Sequence, residues 1–448
     1  MTRLLDLSPS TPRTSPWPSG TGRTLAIGAF LALVLGGLAW LRLPAVARDT
    51  FWAEDGRNFV QSAMFHGWGD LFTPYGGYLH LLPRVLANTA VMAVPLDGYA
   101  LFMSGAASLV AGVCAGIVWM VSRQHVGSGW ALVIGASTVL APLAAREVLG
   151  NAANIHTILM WTLFWVLLYT PTRRSTAALL ALFALVAALT EVQAVFLLPL
   201  LLWRSRSRLR RIVYGGTLAG VLAQLLCVLL SPRKQTAFGH VEPLSYPYGF
   251  VINALMPIVL PTRAIGPVLS TTAQLVPLLL VAAFGAAFLV LLRGASSTAR
   301  VIVSAALLLA VLTYVAGVYT TPLDLYDYAS HSPAQLRAVW LARYGVLPSM
   351  LVISALCVAA GDRTRTRPER EGMRRSEAVR KGVAFGVVTL LLLSFACFFS
   401  PSDTRRSHGP AWQPQVVQAR EECAEGAAAV TLAQTLGWSV EVPCGRIR

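Results

Sequence analysis

Charge is scarce in this sequence. Asp, Glu, Lys and Arg together make up 12% of 448 residues while hydrophobic residues make up 55%, too little charge to cover the surface of a soluble domain this long. The mean hydropathy of +0.61 points the same way. Cysteine is also scarce, and six in such a length cannot form a disulfide scaffold. No glycine-rich nucleotide loop, zinc-ligand spacing or serine-nucleophile elbow occurs. The lack of a strong internal repeat speaks against an inverted-repeat transporter.

What is abundant is uncharged apolar sequence. Such runs cover roughly 24–41, 99–121, 130–144, 154–170, 175–203, 212–230, 275–292, 301–320, 345–360 and 382–399, several close to the ~20 residues a helix needs to cross a bilayer. Only helices or closed barrels satisfy the backbone in lipid, so the expected fold is an all-α integral-membrane bundle of 11 to 13 transmembrane helices. The first run lacks a small-x-small site before Arg42–Arg48 and reads as a retained span rather than a signal peptide. Gly105, Gly112 and Gly116 give small-residue spacing suited to helix packing.

The formal charge of +16 would suit nucleic acid, but the arginines are confined to connections. They cluster at Arg3, Arg13 and Arg23, at Arg173 and Arg174, at Arg204 to Arg211, and from Arg363 through Lys381. That is the positive-inside pattern, and it excludes a nucleic-acid partner in favour of membrane lipids. It places the N-terminus in the cytoplasm and the chain in the plasma membrane. Three regions follow: a disordered cytoplasmic 1–23, a membrane domain over 24–399 with its first outer loop at about 42–84, and a small extracytoplasmic segment over 400–448. Thr176–Trp203 carries arginines at both ends and is interrupted by Glu191, so it is expected to be a hairpin of two short helices with Glu191 at its outer apex. Leu79–Pro95 is expected to be re-entrant or interfacial, and Gly249–Thr272 an outer interfacial piece. Cys423 and Cys444, the only cysteines of the polar tail, are expected to form a disulfide in an oxidising exterior. Cys114, Cys227, Cys357 and Cys397 read as small buried hydrophobes.

Unusual polar residues gather on the outer connections: Glu54, Asp55, Tyr75, Tyr78, His80 and Arg84 in the first, then Arg146, Glu147, Asn154 and His156, then Glu191, and later Arg233, Lys234, His240, Asp324, Asp327, His331, Arg337 and Arg343. Ionisable groups at membrane depth are costly, so a one-sided accumulation suggests a shared cavity. Each also has a structural reading. Glu54 and Asp55 can cap a helix, Arg84 and Arg343 can snorkel, and Tyr75 and Tyr78 can belong to an interfacial aromatic belt. The scattered histidines lack ligand spacing, so no metal site is assigned. Glu191 is hardest to dismiss, because a carboxylate inside an apolar stretch needs a partner or a proton.

With its retained first span, "FWAEDG" opening a long outer loop, "PYGGYLHLLPR" entering the next helix, "LTEVQ" in a short hairpin and a late "ARYG", the chain resembles the C-type superfamily of integral-membrane glycosyltransferases. Relatives in that superfamily include the protein O-mannosyltransferases and the lipid A aminoarabinose transferase. The resemblance implies a sugar transferase that takes its donor from a polyprenyl-phosphate lipid and works at the outer membrane face. It implies that a first-loop carboxylate, Asp55 with Glu54 as the neighbouring candidate, is the base. Some branches use a divalent cation, which Glu54 and Asp55 could ligate; no other cofactor is implied. The lysine-proline-proline motif of the aminoarabinose branch is missing, with only "HLLPR" in its place, so neither the sugar nor the acceptor, a cell-envelope glycan, glycolipid or protein, is carried over.

The chemistry is coherent on its own terms. A carboxylate must take the acceptor hydroxyl proton, and cations must stabilise the departing phosphate, a task that suits the planar fork of arginine. Arg343 and Arg84 are the expected phosphate ligands, with Arg337, Arg233 and Lys234 as alternates. Tyr75, Tyr78, His80, Asn154, His156 and Glu191 are the expected substrate contacts. Single displacement predicts inversion at the anomeric carbon. A transporter or lipid flippase using Glu191 and Glu147 is the alternative from another class, and a non-catalytic scaffold is a third.

Overall fold

The computed structural model of the protein describes residues 21–203, 205–233, 241–362, 371–400 and 404–447. Arg3, Arg13, Arg204, Lys234 and His240, most of the 1–23 segment and the stretch 363–370 lie outside the described residues. Helices make up 74% of the structure, and the only sheet among the described residues is one antiparallel hairpin near the C-terminus. Among the described residues, seven helices are long and apolar enough to cross a membrane: Gly22–Leu41, Leu96–Ser122, Ser128–Glu147, Arg208–Leu230, Ser297–Thr320, Arg343–Gly361 and Glu377–Cys397. An eighth candidate is the pair Thr262–Thr272 and Leu275–Leu291, bent by 114°. Four shorter apolar helices complete the set: Leu81–Ala93, Ile155–Leu168, Arg174–Ala188 and Val192–Leu202. Large apolar side chains such as Leu229, Leu278, Leu308 and Phe385 are exposed on helix flanks, as expected of a multi-pass membrane protein whose outer surface faces lipid.

The packing is close where the sequence supplies glycine. The first helix, Thr21–Leu41, runs antiparallel to Tyr99–Ser122, with Gly28 beside Gly116 and Gly36 beside Gly112. A Cβ at Gly112 would run into the backbone of the first helix. The small-residue spacing is therefore a helix-packing seam. Arg174–Ala188 and Arg208–Leu230 pack in parallel, Gly216 against Ala181 and Gly220 against Ala188. Two parallel neighbours require the segment between them to double back, and Val192–Leu202 does so. Glu191 lies at the turn between the two short helices, where the hairpin expectation put it.

Connections gather at two ends of the bundle. At one end, Val126 bridges Asp362, Gln124 bonds Thr170 and Arg210 reaches the Leu167 carbonyl. Arg123, Arg173, Arg174, Arg206, Arg208 and Arg211 belong to these connections. At the other end, Leu81 N–H donates to the Leu189 carbonyl, Gln224 holds both backbone groups of Leu79, and the tail meets the first loop. Arg42, buried just past the first helix, donates to the carbonyls of Val139, Ala141, Pro142, Phe398 and Phe399, binding three chain segments at this second end.

The tail is a folded cap over the first loop. Its helix Trp412–Ala424 and hairpin strands Ala429–Ala433 and Ser439–Pro443 pack on Phe51, Trp52, Phe59 and Val60 in a second core, separate from that of the bundle. Cys423 and Cys444 are joined by the expected disulfide. Trp412 Nε1 donates to the Leu96 carbonyl at 2.7 Å. Of the remaining cysteines, Cys114, Cys227 and Cys357 are buried, whereas Cys397 is exposed. It departs from the buried reading because it ends the Glu371–Cys397 helix, which lies at the margin of the bundle.

Candidate functional site

The polar end of the bundle holds a small, partly open cavity of about 50 Å³ lined by His156, Thr157, Met160, Glu191, Gln193, Thr313, Arg343, Tyr344 and Leu347. Each of its charged groups is placed by a local feature of the chain. Glu191 follows the end of Arg174–Ala188, and its Oε1 accepts the Gln193 N–H at 2.7 Å, capping the short helix that begins there. Its other oxygen contacts His156 Nδ1. Glu191 is thus buried with a cation-capable partner, which resolves the cost of a carboxylate in an apolar stretch. Arg343 begins the turn leading into Val346–Gly361. Glu147 Oε2 lies 3.7 Å from Arg343 Nη1.

The adjacent carboxylates of the first loop have different surroundings. Asp55 is buried, and its oxygens accept the Ala152 N–H at 3.0 Å and the Ala153 N–H at 2.6 Å. Burial pushes its carboxyl up to about 7, against the pull of Arg406 and the two amides. Arg406 is also buried, and desolvation draws it down to about 10. Asp55 is therefore occupied in fastening the loop that precedes His156 to the first outer loop. Glu54, one residue earlier, is half-buried, and its Oε2 has no hydrogen-bond partner among the described residues. It lies within electrostatic reach of Arg343, Tyr75 and Tyr78. Of the two carboxylates, Glu54 has the chemistry of an available base.

Several expected site residues are committed elsewhere. Arg84 is buried and pairs with Asp70 at 2.6 Å, while Asn88 donates to the other Asp70 oxygen. A buried guanidinium already matched to a carboxylate is not available for phosphate, so the expectation for Arg84 gives way. Arg337 is exposed at the end of a short helix and does not line the cavity. Asn154 is buried just before Ile155–Leu168, and its side chain donates to the Glu147 carbonyl at 3.1 Å rather than capping the helix, a structural role. Arg233 is exposed and donates to the Thr320 carbonyl.

Tyr75 and Tyr78 form a tight turn through Gly76 and Gly77, whose φ of 61° and 87° only glycine adopts without cost. Tyr78 stacks on His80 at 4.1 Å and Tyr75 meets the same ring at 5.5 Å. Burial, then the nearby His156, hold the His80 imidazole down at about 3, in its neutral form. These three rings form a packed wall beside the site, with His80 at its buried end. Among the described residues, no group of three His, Cys, Asp or Glu side chains is placed to hold a metal ion.

Two participants come from the tail. Arg405 donates from Nε to Glu147 Oε1 at 3.1 Å and lies over the Trp340 ring, 2.9 Å from its centroid. Arg406 donates to the Thr50 carbonyl, Ser104 Oγ and the Leu149 carbonyl. The sequence holds one signal for them: "TRR" puts two arginines in the segment expected to be extracytoplasmic, where the positive-inside rule disfavours them. Comparison with known protein families, with characterised proteins and with solved structures found no match for the chain.

Proposed function

We propose that the protein is an inverting glycosyltransferase that moves a sugar from a polyprenyl-phosphate carrier to a cell-envelope acceptor at the outer face of the plasma membrane. In this reading the chain crosses the bilayer eleven times, with Leu81–Ala93 re-entrant and the cavity end of the bundle extracytoplasmic. The observation that carries the reading is the cavity itself. Met160 and Leu347 offer apolar surface in the same lining as Arg343, with the His156 and Glu191 pair also facing the cavity. Apolar surface beside an arginine suits a lipid phosphate, because the chain can enter from the bilayer while the guanidinium meets the head group.

Glu54 supplies the base. As the acceptor oxygen bonds to the anomeric carbon, its proton passes to the Glu54 carboxylate. The bond from that carbon to the phosphate oxygen breaks, and its electron pair leaves on the phosphate, where Arg343 offsets the growing charge. His156, Glu191 and Gln193 are left to hold sugar hydroxyls. Transport through Glu191 and Glu147 is the alternative, but both carboxylates lie at one end of the bundle and each is already engaged by a basic side chain.

The test is transfer of label from a panel of polyprenyl-phosphate sugars by membranes carrying wild type, Glu54→Gln or Asp55→Asn, normalised to folded protein. Glu54→Gln is expected to fold normally and lose on the order of 100-fold in transfer, the usual scale of a missing general base. Asp55→Asn is expected to reduce the amount of folded protein while leaving transfer per folded molecule measurable. Wild-type transfer unaffected by Glu54→Gln would remove the base assignment. Product with retained configuration would remove the single displacement, and no transfer from any donor would return the question to transport.

A further inference from the structure

The tail is linked to Arg343 of the cavity through Arg405 and Glu147. Arg405 is followed at once by the cap that covers the first loop, yet its guanidinium points into the bundle. It sits on the Trp340 ring and donates to Glu147, while its own backbone N–H is held by the Arg146 carbonyl at 3.1 Å. Glu147 is 6% exposed and bridges outward from Arg405 to Arg343. Its backbone is fixed in turn, because its carbonyl accepts from both Asn151 and Asn154. Trp340 is three residues from Arg343, and its carbonyl takes the Tyr328 hydroxyl at 2.8 Å. Arg405 thus touches both the carboxylate that contacts Arg343 and the strand of chain that delivers it.

We propose that Arg405 is a positioning residue for Arg343: by sharing the Glu147 carboxylate it keeps Arg343 less tightly held there, and so available to an anion in the cavity. The Glu147 carboxylate is divided between the two arginines, so neither holds it alone, and Glu54 acts on Arg343 from a greater distance. Removing Arg405 gives Glu147 wholly to Arg343, whereas neutralising Glu147 releases it. Lysine at 405 restores the charge but not the planar contact with Trp340. The class of ligand, a lipid phosphate, rests on the function proposed above; the coupling of Arg405 to Arg343 does not.

The experiment follows modification of Arg343 by phenylglyoxal, site by site, by mass spectrometry of the purified full-length protein in detergent. The reagent attacks the neutral guanidine, so an arginine held tightly by a carboxylate reacts more slowly. Arg343 is expected to slow roughly threefold in Arg405→Ala and to speed up by a similar factor in Glu147→Gln, the scale of altering one partly exposed ion pair. Arg405→Lys should lie between wild type and Arg405→Ala. If Arg405→Ala does not fold, the opposite shifts expected of the other two variants still decide the matter. Equal Arg343 rates in every folded variant would overturn the proposal. Farnesyl phosphate serves as a separate probe. Protection of wild-type Arg343 by it supports the lipid-phosphate reading, and absent protection with the variant shifts intact removes that reading while leaving the coupling in place.

Discussion

Asp55 and Glu54 differ by one position in sequence and by everything in environment. A wide helical turn begins at Asp55, and the side chain at its start is directed into the backbone N–H groups of Ala152 and Ala153, whereas Glu54 stays half-exposed. No periodicity in "FWAEDG" distinguishes the two, because the distinction depends on a loop about a hundred residues away. The buried acid has a pH signature. Its folded pKa, about 7, lies above the ordinary carboxylate value, so the fold binds this proton more tightly than the unfolded chain does. The resulting stabilisation is fully present below pH ~4 and is lost as pH rises through about 7. The thermal midpoint of the wild type in detergent is therefore expected to fall between pH 4 and 8, with a flatter profile in Asp55→Asn. Parallel profiles would show that Asp55 ionises as freely folded as unfolded.

At the scale of elements, the sequence announced most of the helices and little of what fixes their contacts. The apolar runs, the turn at Glu191 and the small-residue seam were legible because period, length and glycine spacing are local properties. The burial of Arg84 against Asp70 was not, since an arginine at the start of an apolar helix reads the same whether it faces a head group or a carboxylate. The seam gives a matched pair of variants. A side chain at Gly112 has no room against the first helix, while one at Gly37 would enter open space. Gly112→Val is expected to cost about 1–3 kcal/mol through forced separation of the two helices. Gly37→Val should leave the thermal midpoint nearly unchanged. Equal losses from both variants would show that backbone freedom, rather than the contact, is what glycine supplies here.

For the whole molecule, the decisive feature is the division of charge between the two ends of the bundle. Arginine-rich connections meet at one end, while Glu54, Asp55, Glu147 and Glu191 meet at the other, with Arg405 and Arg406 entering from the tail. Composition predicted this division, but the contact of the tail with Glu147 joins residues more than 250 positions apart and leaves no local trace except two arginines in a segment expected to be extracytoplasmic. The division also fixes what the proposed chemistry requires, because a polyprenyl-phosphate donor presented at the outer face can be used only if the Glu54 end lies there. Asp324 is exposed in a connection at the cavity end, and Thr172 is exposed in a connection at the arginine-rich end. Single cysteines at these sites can be introduced over Cys397→Ala, since Cys397 is the one exposed free thiol among the described residues. In intact cells a membrane-impermeant maleimide is expected to label Asp324→Cys, and to label Thr172→Cys only after permeabilisation. The reverse pattern would put the cavity in the cytoplasm, where its arginine and carboxylates would face a different pool of substrates and an outward-facing transfer could not take place.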